Sequence, residues 1–264
     1  MVVAKAQQNQ TLETPKFMHE RVVLITGASR GIGAATAKLL GEQGAAVGVN
    51  YYASEAAAQD VVEAITAEGS RAVAVKADVR DPHQVEAMVH QVTETLGAID
   101  TLVINANAGF PMAPFVDYRW KDFEAKLLGE LKGAFFPCKA VVPSMIEHKR
   151  GCIIAISSGL SRHPGEGFVA HSTAKSGLDA FIKSLALELG PHGIRANVIS
   201  PGLTLTDATA QLPQAHKDAS AQMVPLKRNG LPEDVAGAIL LLASEQAKFI
   251  TGAYLPVSGG IQML

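Results

Sequence analysis

The sequence has little cysteine and no dense run of one charge. Cys138 and Cys152 are its two cysteines, and neither belongs to a CxxC pair. A disulfide framework or a cysteine-based metal site is therefore not expected, and a reducing compartment such as the cytoplasm is favoured. The formal net charge is −2, and Lys and Arg do not cluster. We therefore expect no nucleic-acid partner.

Long hydrophobic runs are also missing. No apolar stretch approaches the roughly 20 residues that cross a membrane, so we expect no membrane insertion. Residues 1–18 are polar and rich in glutamine, without the apolar centre of a signal peptide. We predict a disordered extension over residues 1–18 and one folded domain over residues 19–264. A hydrophobic content of 48% in 264 residues is enough for one large core.

What the sequence does contain is a strict alternation of strand-like and helix-like segments. Apolar runs typical of buried strands occupy residues 21–26, 45–50, 71–76, 101–105, 152–156, 194–199 and 253–257. Helical patterns occupy residues 34–40, 54–67, 81–97, 120–148, 168–183 and 232–244, with Ser54 and Asp81 as N-caps. Pro137 and Pro143 lie inside the longest helical pattern, and Pro137 should kink it. The alternation predicts an α/β fold, a Rossmann-type doubly wound parallel sheet in a single domain.

A glycine-rich turn follows the first predicted strand and leads into the first helix. Residues 27–33 read GASRGIG. Residues without a Cβ let the backbone approach a pyrophosphate, and the helix N-terminus offers free N–H groups and the positive end of its dipole. The order of strand, turn and helix indicates a dinucleotide-binding unit, although a tight turn between a strand and a helix also uses glycines.

A second group of polar residues follows strands later in the chain. Ser158 follows the strand at 152–156, Pro201 and Gly202 follow the strand at 194–199, and His171 and Lys175 are one helical turn apart. Ligands of open parallel sheets bind outside the carboxyl ends of the strands, so these residues can meet in one crevice. Taken singly, Ser158 is equally typical of a serine that forms a turn, and His171 with Lys175 is equally typical of the solvated face of a helix.

These segments together resemble the short-chain dehydrogenase/reductase family, above all its 3-oxoacyl carrier-protein reductases. The resemblance covers residues 20–262. It rests on Thr26-Gly27-x-x-x-Gly31-x-Gly33, Asp78-Val79, Asn105-Ala106, Ser157-Ser158, Lys175-Ser176-Gly177, Pro201-Gly202-x-x-x-Thr206, Thr251-Gly252 and Ser258-Gly259-Gly260. It implies an NAD(P)-dependent oxidoreductase that acts on alcohol or carbonyl groups of a small molecule, with a thioester-linked substrate as one option.

The resemblance also implies a set of cofactor-binding residues along the chain. The glycine turn would hold the pyrophosphate, Asp78 and Val79 the adenine, and Pro201, Gly202 and Thr206 the nicotinamide. The full set is Gly27, Ser29, Arg30, Gly31, Ile32, Gly33, Asn50, Tyr51, Asp78, Val79, Asn105, Ala106, Lys175, Pro201, Gly202, Thr204 and Thr206.

Three positions depart from the family pattern. Where the family has a tyrosine, 13 residues after its active serine, this chain has His171, counted from Ser158. Glu130 stands in place of an asparagine in the long helix. In an ungapped alignment Asn107 stands in place of a glycine after the fourth strand, where an asparagine tolerates positive φ better than most residues.

These departures lead to a specific expectation for the chemistry. In the family a tyrosine donates the proton in carbonyl reduction, so we expect the imidazolium of His171 to donate it here. Glu130 would raise the pKa of His171, Ser158 would polarise the carbonyl, and Lys175 would bind the ribose. Two alternatives remain open: a non-redox dehydratase or isomerase on the same fold, and a catalytically silent cofactor-binding protein.

The cofactor type and the assembly can also be predicted. No carboxylate follows the second strand until Glu55, and Arg30 can contact a 2′-phosphate, which favours NADP(H). Alternatively, Arg30 is a solvated turn residue. The resemblance implies a homotetramer, or otherwise a dimer, paired through the long helix and the helix of His171. The apolar residues available for this contact, which core packing would explain equally, are Phe135, Phe136, Val141, Phe181 and Leu185.

Overall fold

The computed structural model describes residues 16–263, and its centre is a seven-stranded parallel sheet. The strands are β1 (Val22–Ile25), β2 (Ala46–Tyr51), β3 (Ala72–Lys76), β4 (Thr101–Ile104), β5 (Gly151–Ile156), β6 (Ile194–Pro201) and β7 (Tyr254–Val257). The helices are α1 (Gly31–Glu42), α2 (Glu55–Ala67), α3 (Pro82–Leu96), α4 (Trp120–Glu147), α5 (Val169–Leu189), α6 (Gln214–Met223) and α7 (Pro232–Ala243). The strand order β3-β2-β1-β4-β5-β6-β7 confirms the doubly wound fold.

The helices cover both faces of the sheet. Residues of α3, α4 and α5 form one hydrophobic core with one face of the strands, and residues of α1, α2 and α7 form a second core with the other face. Every residue of β1, β2, β4 and β5 is buried, which explains why these strands read as continuous apolar runs. The sheet therefore has no solvated face.

The predicted helix ends are partly correct. The Asp81 carboxylate accepts hydrogen bonds from the backbone N–H groups of His83 and Gln84, so it caps α3 as expected. The Ser54 side chain makes no cap bond at the start of α2, because its hydroxyl accepts a hydrogen bond from Arg30 instead. The helix α4 continues through both Pro137 and Pro143 without interruption.

The N-terminal boundary differs from the prediction. Residues 1–15 of the proposed disordered extension lie outside the described residues. Met18, however, is fully buried in the core of α1, α2 and α7, and its backbone N–H donates to the carbonyl of Gln43 at 3.0 Å. The folded domain therefore begins before residue 19, because an apolar side chain in a polar stretch gives no periodic signal.

The strand order changes direction between β1 and β4. From β1 the chain builds outward to β2 and β3, and then returns to add β4, β5, β6 and β7 on the other side. The loops at the carboxyl ends of β1 and β4 therefore diverge and leave a crevice between them. The residues singled out in the sequence follow β1, β4, β5 and β6, so they lie along this edge of the sheet.

Candidate active site

The glycine turn after β1 forms a cradle with the loop after β6. Gly27 and Gly31 have φ values of 62° and 54°, a conformation that favours glycine. A Cβ placed on Gly31 would lie 3.4 Å from Cγ2 of Thr206. The turn and the Thr206 segment, both expected at the cofactor, are therefore brought together. The Arg30 side chain at the N-cap makes no cap hydrogen bond to α1, so the first N–H groups of this helix can donate to a pyrophosphate.

A threonine that sequence reasoning left out of the site holds this cradle to β4. The hydroxyl oxygen of Thr26 accepts hydrogen bonds from the backbone N–H groups of Asn105 and Ala106 at 2.9 and 3.0 Å. The Asn105 side chain donates to the carbonyls of Thr26 and Gly27, both at 2.9 Å. The amide of Asn105 thus shapes the turn. The position of Thr26, directly before Gly27, is the signal that could have found it.

Two predicted cofactor residues at the end of β2 have structural roles. The Asn50 side chain is 2% exposed; it donates to the carbonyls of Val75 and Ala77 and accepts from the N–H of Gly27 at 3.1 Å. Tyr51 is also buried. The full burial of β2 turns both side chains inward, and contact of these residues with the cofactor stays a prediction. Thr204 is also buried, with its hydroxyl donating to the carbonyl of Gly202, and its contact with the cofactor likewise stays a prediction.

Two arginines lie where the adenosine end of a dinucleotide is expected. Arg30 donates to the hydroxyl of Ser54. Arg80 forms two hydrogen bonds with Asp78 at 2.8 and 2.7 Å, which hold the pKa of that carboxyl below its usual range. The same guanidinium lies 5.7 Å from the ring centroid of exposed Tyr52. This surface therefore carries two guanidinium groups and an aromatic ring, and the Asp78 carboxylate pairs with Arg80.

A buried cluster of charged residues lies between α4 and α5. Glu130 accepts a hydrogen bond from Lys175 Nζ at 2.6 Å on one oxygen and from Lys126 Nζ at 2.5 Å on the other. Lys175 also donates to the carbonyl of Ile156 at 2.6 Å, at the end of β5. Burial opposes ionisation of Glu130, but the two lysines outweigh it and hold its pKa below the usual value.

Sequence reasoning missed Lys126, which is fully buried. Its ammonium donates to the side-chain oxygen of Asn107 at 2.7 Å and to the carbonyl of Ala108 at 3.0 Å, in addition to Glu130. Asn107 therefore serves as an acceptor for Lys126, and it is not among the residues with positive φ. The expectation that it replaces a left-handed glycine is wrong. The spacing of Lys126 and Glu130, one helical turn apart, was the available signal.

His171 is buried beside this cluster, and its state differs from the expectation. Its ring stacks on the ring of Phe110 at 4.6 Å between centroids, and its Nδ1 has no hydrogen-bond partner among residues 16–263. The pKa of His171 is lowered to about 3, mainly by burial and to a smaller extent by repulsion from Lys126 and Lys175. The imidazole is therefore neutral at pH 7. Glu130 does favour the imidazolium, but it is shared by two lysines and is outweighed.

Ser158 follows β5, and its hydroxyl donates to no acceptor among residues 16–263. Its Oγ accepts a hydrogen bond from the N–H of Leu160 at 3.2 Å, and its carbonyl accepts from the hydroxyl of Tyr254 at 3.2 Å. The single hydroxyl proton of Tyr254 is shared between that carbonyl and Ser200 Oγ, which lies 2.8 Å away, and Ser200 donates to the amide oxygen of Gln262 at 3.0 Å. The C-terminal segment thus supports the Ser158 turn, a long-range contact that no local pattern in the sequence indicated.

The described part of the chain has neither a metal centre nor a membrane-spanning helix. No three His, Cys, Asp or Glu side chains among residues 16–263 are grouped so that they could hold a metal ion. In the same residues, no helix combines the length and the hydrophobicity needed to cross a membrane.

Comparison with known proteins agrees with this geometry. Residues 27–262 match the family model described as enoyl-(acyl carrier protein) reductase. The chain is 38% identical over 249 residues to an L-rhamnose 1-dehydrogenase (NAD(P)(+)) of Sphingomonas, covering 93% of this chain and 98% of that protein. It is 36% identical over 242 residues to the 3-oxoacyl-(acyl-carrier-protein) reductase FabG of Staphylococcus aureus, covering 91% and 97%.

Solved structures with the same fold include two close matches. A short-chain dehydrogenase/reductase mutant of Serratia marcescens has a TM-score of 0.87 and 32% identity, covering 94% of this chain and all of that one. A blue fluorescent protein from a metagenomic library, in complex with NADPH, has a TM-score of 0.86 and 33% identity with the same coverage.

The fold and the cradle define the class of NAD(P)-dependent oxidoreductases. Within that class, this chain belongs to the short-chain dehydrogenase/reductase family. The family resemblance stated from the sequence is thereby confirmed. The expectation of an oxidoreductase acting on alcohol or carbonyl groups is confirmed as well, because the matching proteins are named dehydrogenases and reductases.

Proposed function

We propose that this protein is an NADPH-dependent carbonyl reductase, a ketoreductase, in which neutral His171 replaces a tyrosine. The observation that carries the proposal is that Ser158, after β5, and His171, in the first turn of α5, each have an unused hydrogen-bonding group among the described residues. Ser158 accepts a hydrogen bond and so keeps its hydroxyl proton for a ligand, and the Nδ1 of buried His171 has no partner among the described residues. A buried polar atom without a partner is costly, and a substrate oxygen would satisfy it.

The residues of the site suggest how the carbonyl is held. When bound, the nicotinamide of the cofactor supplies the hydride. The Ser158 hydroxyl and an imidazole N–H of His171 donate hydrogen bonds to the carbonyl oxygen, which gains an electron pair as the carbon is reduced. Because neutral imidazole is a poor acid, His171 stabilises that oxygen without giving up a proton. The proton that completes the alcohol comes from solvent. Lys175, fixed by Glu130 and Ile156, orients the ribose.

The choice of NADP(H) is supported by two arginines that contact the segment after β2, Arg30 at Ser54 and Arg80 at Tyr52. The cradle residues Gly27 and Gly31 leave room for a pyrophosphate, and Arg30 and Arg80 offer cations to a 2′-phosphate. No carboxylate follows β2 until Glu55. The metagenomic protein with the same fold was solved with NADPH.

The cofactor preference is tested by binding titrations of NADPH and NADH. The chain should bind NADPH more tightly, and Arg30→Ala should weaken NADPH more than NADH. Lys38→Ala, on a neighbouring part of α1, is the matched control for loss of one cation. Equal affinity for both cofactors, unchanged in Arg30→Ala, would contradict the proposal.

The reductase function is tested with a panel of substrates and NADPH oxidation. The panel should include 3-oxoacyl thioesters and simple ketones with NADPH, and aldoses with NADP⁺ in the oxidative direction. Both directions are needed because one relative is named a sugar dehydrogenase and another a 3-oxoacyl reductase. We expect turnover with at least one member and a loss of about 10²–10³-fold in kcat for Ser158→Ala. Ser184→Ala, on the exposed side of α5, is the control.

Two results would contradict this function. NADPH binding without turnover of any panel member favours the catalytically silent alternative. Dehydration or isomerisation of a hydroxy substrate without change in the cofactor favours the non-redox alternative.

We propose a homotetramer, with a dimer as the second choice, paired through α4 and α5. Phe135 is 49% exposed on α4 and contacts Phe181 on α5, which leaves an apolar surface for a second copy. Val141 is fully buried in the core, so its proposed part in this contact is wrong. Light scattering at micromolar concentration tests the proposal, and a monomer would refute it.

The two buried, unpaired cysteines support the prediction of a cytoplasmic protein.

A further inference from the structure

Three charged side chains of α4 and α5 are buried together with unequal charge. Lys126 is fully buried, and Glu130 and Lys175 are each 4% exposed. Two cations share one carboxylate, so the cluster has a net charge of +1 when all three are ionised. Desolvating a charge that lacks a partner is unfavourable. Burial lowers the pKa of Lys126 to about 8, which is the direct sign of that cost. Such a charge calls for a functional explanation.

Lys126 connects the walls of the crevice. Its ammonium donates hydrogen bonds to Asn107 and Ala108 in the loop after β4. It is also linked to α5, because Glu130 accepts hydrogen bonds from both Lys126 and Lys175. The loop continues to Phe110, whose ring centroid lies 5.3 Å from Lys126 Nζ.

The same loop sets the environment of His171. The ring of Phe110 stacks on the ring of His171 at 4.6 Å. Lys126 repels the His171 imidazolium more strongly than Lys175 does. Removal of Lys126 should therefore change both the position of Phe110 and the charge felt at His171.

We propose that Lys126 is a positioning residue of the reduction site, which supplies the positive charge that Glu130 does not neutralise and holds Phe110 against His171. This inference rests on the proposed carbonyl reduction. Hydride addition to the carbonyl carbon moves the C=O electron pair onto the oxygen, and a fixed positive charge in a dry site stabilises that oxygen. Lys126 does not touch the substrate, because all three of its N–H groups are occupied within the protein.

The first test compares Lys126→Met with Lys132→Met, an exposed lysine of the same helix. Lys126→Met should lower kcat about 10- to 100-fold, less than loss of a direct oxyanion donor. The KM for NADPH should change little. The melting temperature should fall, because the acceptors of Asn107 and Ala108 lose their donor, and relief of one uncompensated charge offsets this only in part. Lys132→Met should leave all three quantities unchanged.

The second test is the pH profile of kcat. The titratable groups that face Lys126 are Glu130 on its own helix and His171 and Lys175 on α5. The wild-type rate should fall as the pH rises through about 8, where Lys126 loses its proton. Lys126→Arg keeps the charge at high pH, so its rate should not fall there. A wild-type profile that is flat through this range would overturn the inference without any variant.

A third measurement does not depend on turnover. In protein with ¹³C-labelled histidine and no ligand, the pKa of His171 should be higher in Lys126→Met than in wild type, because a repelling charge is removed. If Lys126→Met lowers the melting temperature while kcat and the His171 titration stay as in wild type, Lys126 is only structural and the inference fails. If wild type reduces no substrate, the proposed function fails, and the His171 titration alone decides the role of Lys126.

Discussion

The neutral state of His171 makes a direct prediction about stability. The side chain is 9% exposed, and burial together with two lysines lowers its pKa from the ordinary value of 6.5 to about 3. This difference corresponds to about 5 kcal/mol against the imidazolium in the folded protein. In the unfolded chain the same imidazole takes up a proton near its ordinary pKa. Acid should therefore favour unfolding through this residue.

The sign and size of the effect follow from proton linkage. Between about pH 3 and 6.5 the unfolded state binds more protons at His171 than the folded state, so stability rises with pH in that window. At pH 5 the protein should be about 2 kcal/mol less stable than at pH 7 because of this residue alone. Above pH 7 the contribution no longer changes, because the imidazole is neutral in both states.

Urea denaturation at pH 7 and pH 5 measures this contribution. His171→Gln removes the titrating group while keeping a polar side chain, so the variant should lose about 2 kcal/mol less than wild type on acidification. His83→Gln, at an exposed position, controls for the loss of one histidine. Equal losses in wild type and His171→Gln, or an NMR titration showing imidazolium at pH 7, would refute the reasoning. That NMR result would also restore His171 as a proton donor.

Three further changes test the parts that position the site. Gly33→Ala places a Cβ 2.5 Å from the Gly27 carbonyl oxygen, so it should cost about 1–3 kcal/mol in urea unfolding and weaken NADPH binding in the same titration. Asp81→Ala removes the cap of α3 and should cost about 0.5–2 kcal/mol, again by urea, without changing NADPH affinity. Tyr254→Phe leaves the carbonyl of Ser158 without its donor and should lower the melting temperature by an amount equivalent to about 1–3 kcal/mol.

The fold could be predicted because its signals are local. Strands buried on both faces read as short apolar runs, and Asp81 before Pro82 marks a helix start by its own chemistry. The glycine turn is also local, since the positive φ of Gly27 and Gly31 depends on the turn itself. The burial of Met18 could not be predicted, because this single apolar side chain packs against elements far along the chain.

The site could be predicted only in part, because burial decides the state of its groups. A lysine one turn before a glutamate usually indicates an exposed ion pair. Here α4 packs against α5, and Lys126 and Glu130 become fully desolvated. No periodicity in the sequence reports that desolvation, so neither the second lysine nor the low pKa of His171 could be read from it. The inward orientation of the Asn50 amide could not be predicted for the same reason.

The unusual residues of this site depend on one another. Without Glu130, Lys126 and Lys175 would be two unpaired cations in a dry interior, a state that burial makes very costly. With Glu130 present, each carboxylate oxygen accepts a hydrogen bond from one lysine, and its attraction for a charged His171 is outweighed by burial and by both lysines. The imidazole therefore stays neutral, and in the proposed function it serves as a hydrogen-bond donor. Under that proposal the electrostatic stabilisation that an acid would provide comes from the remaining positive charge of Lys126, which does not itself reach the substrate.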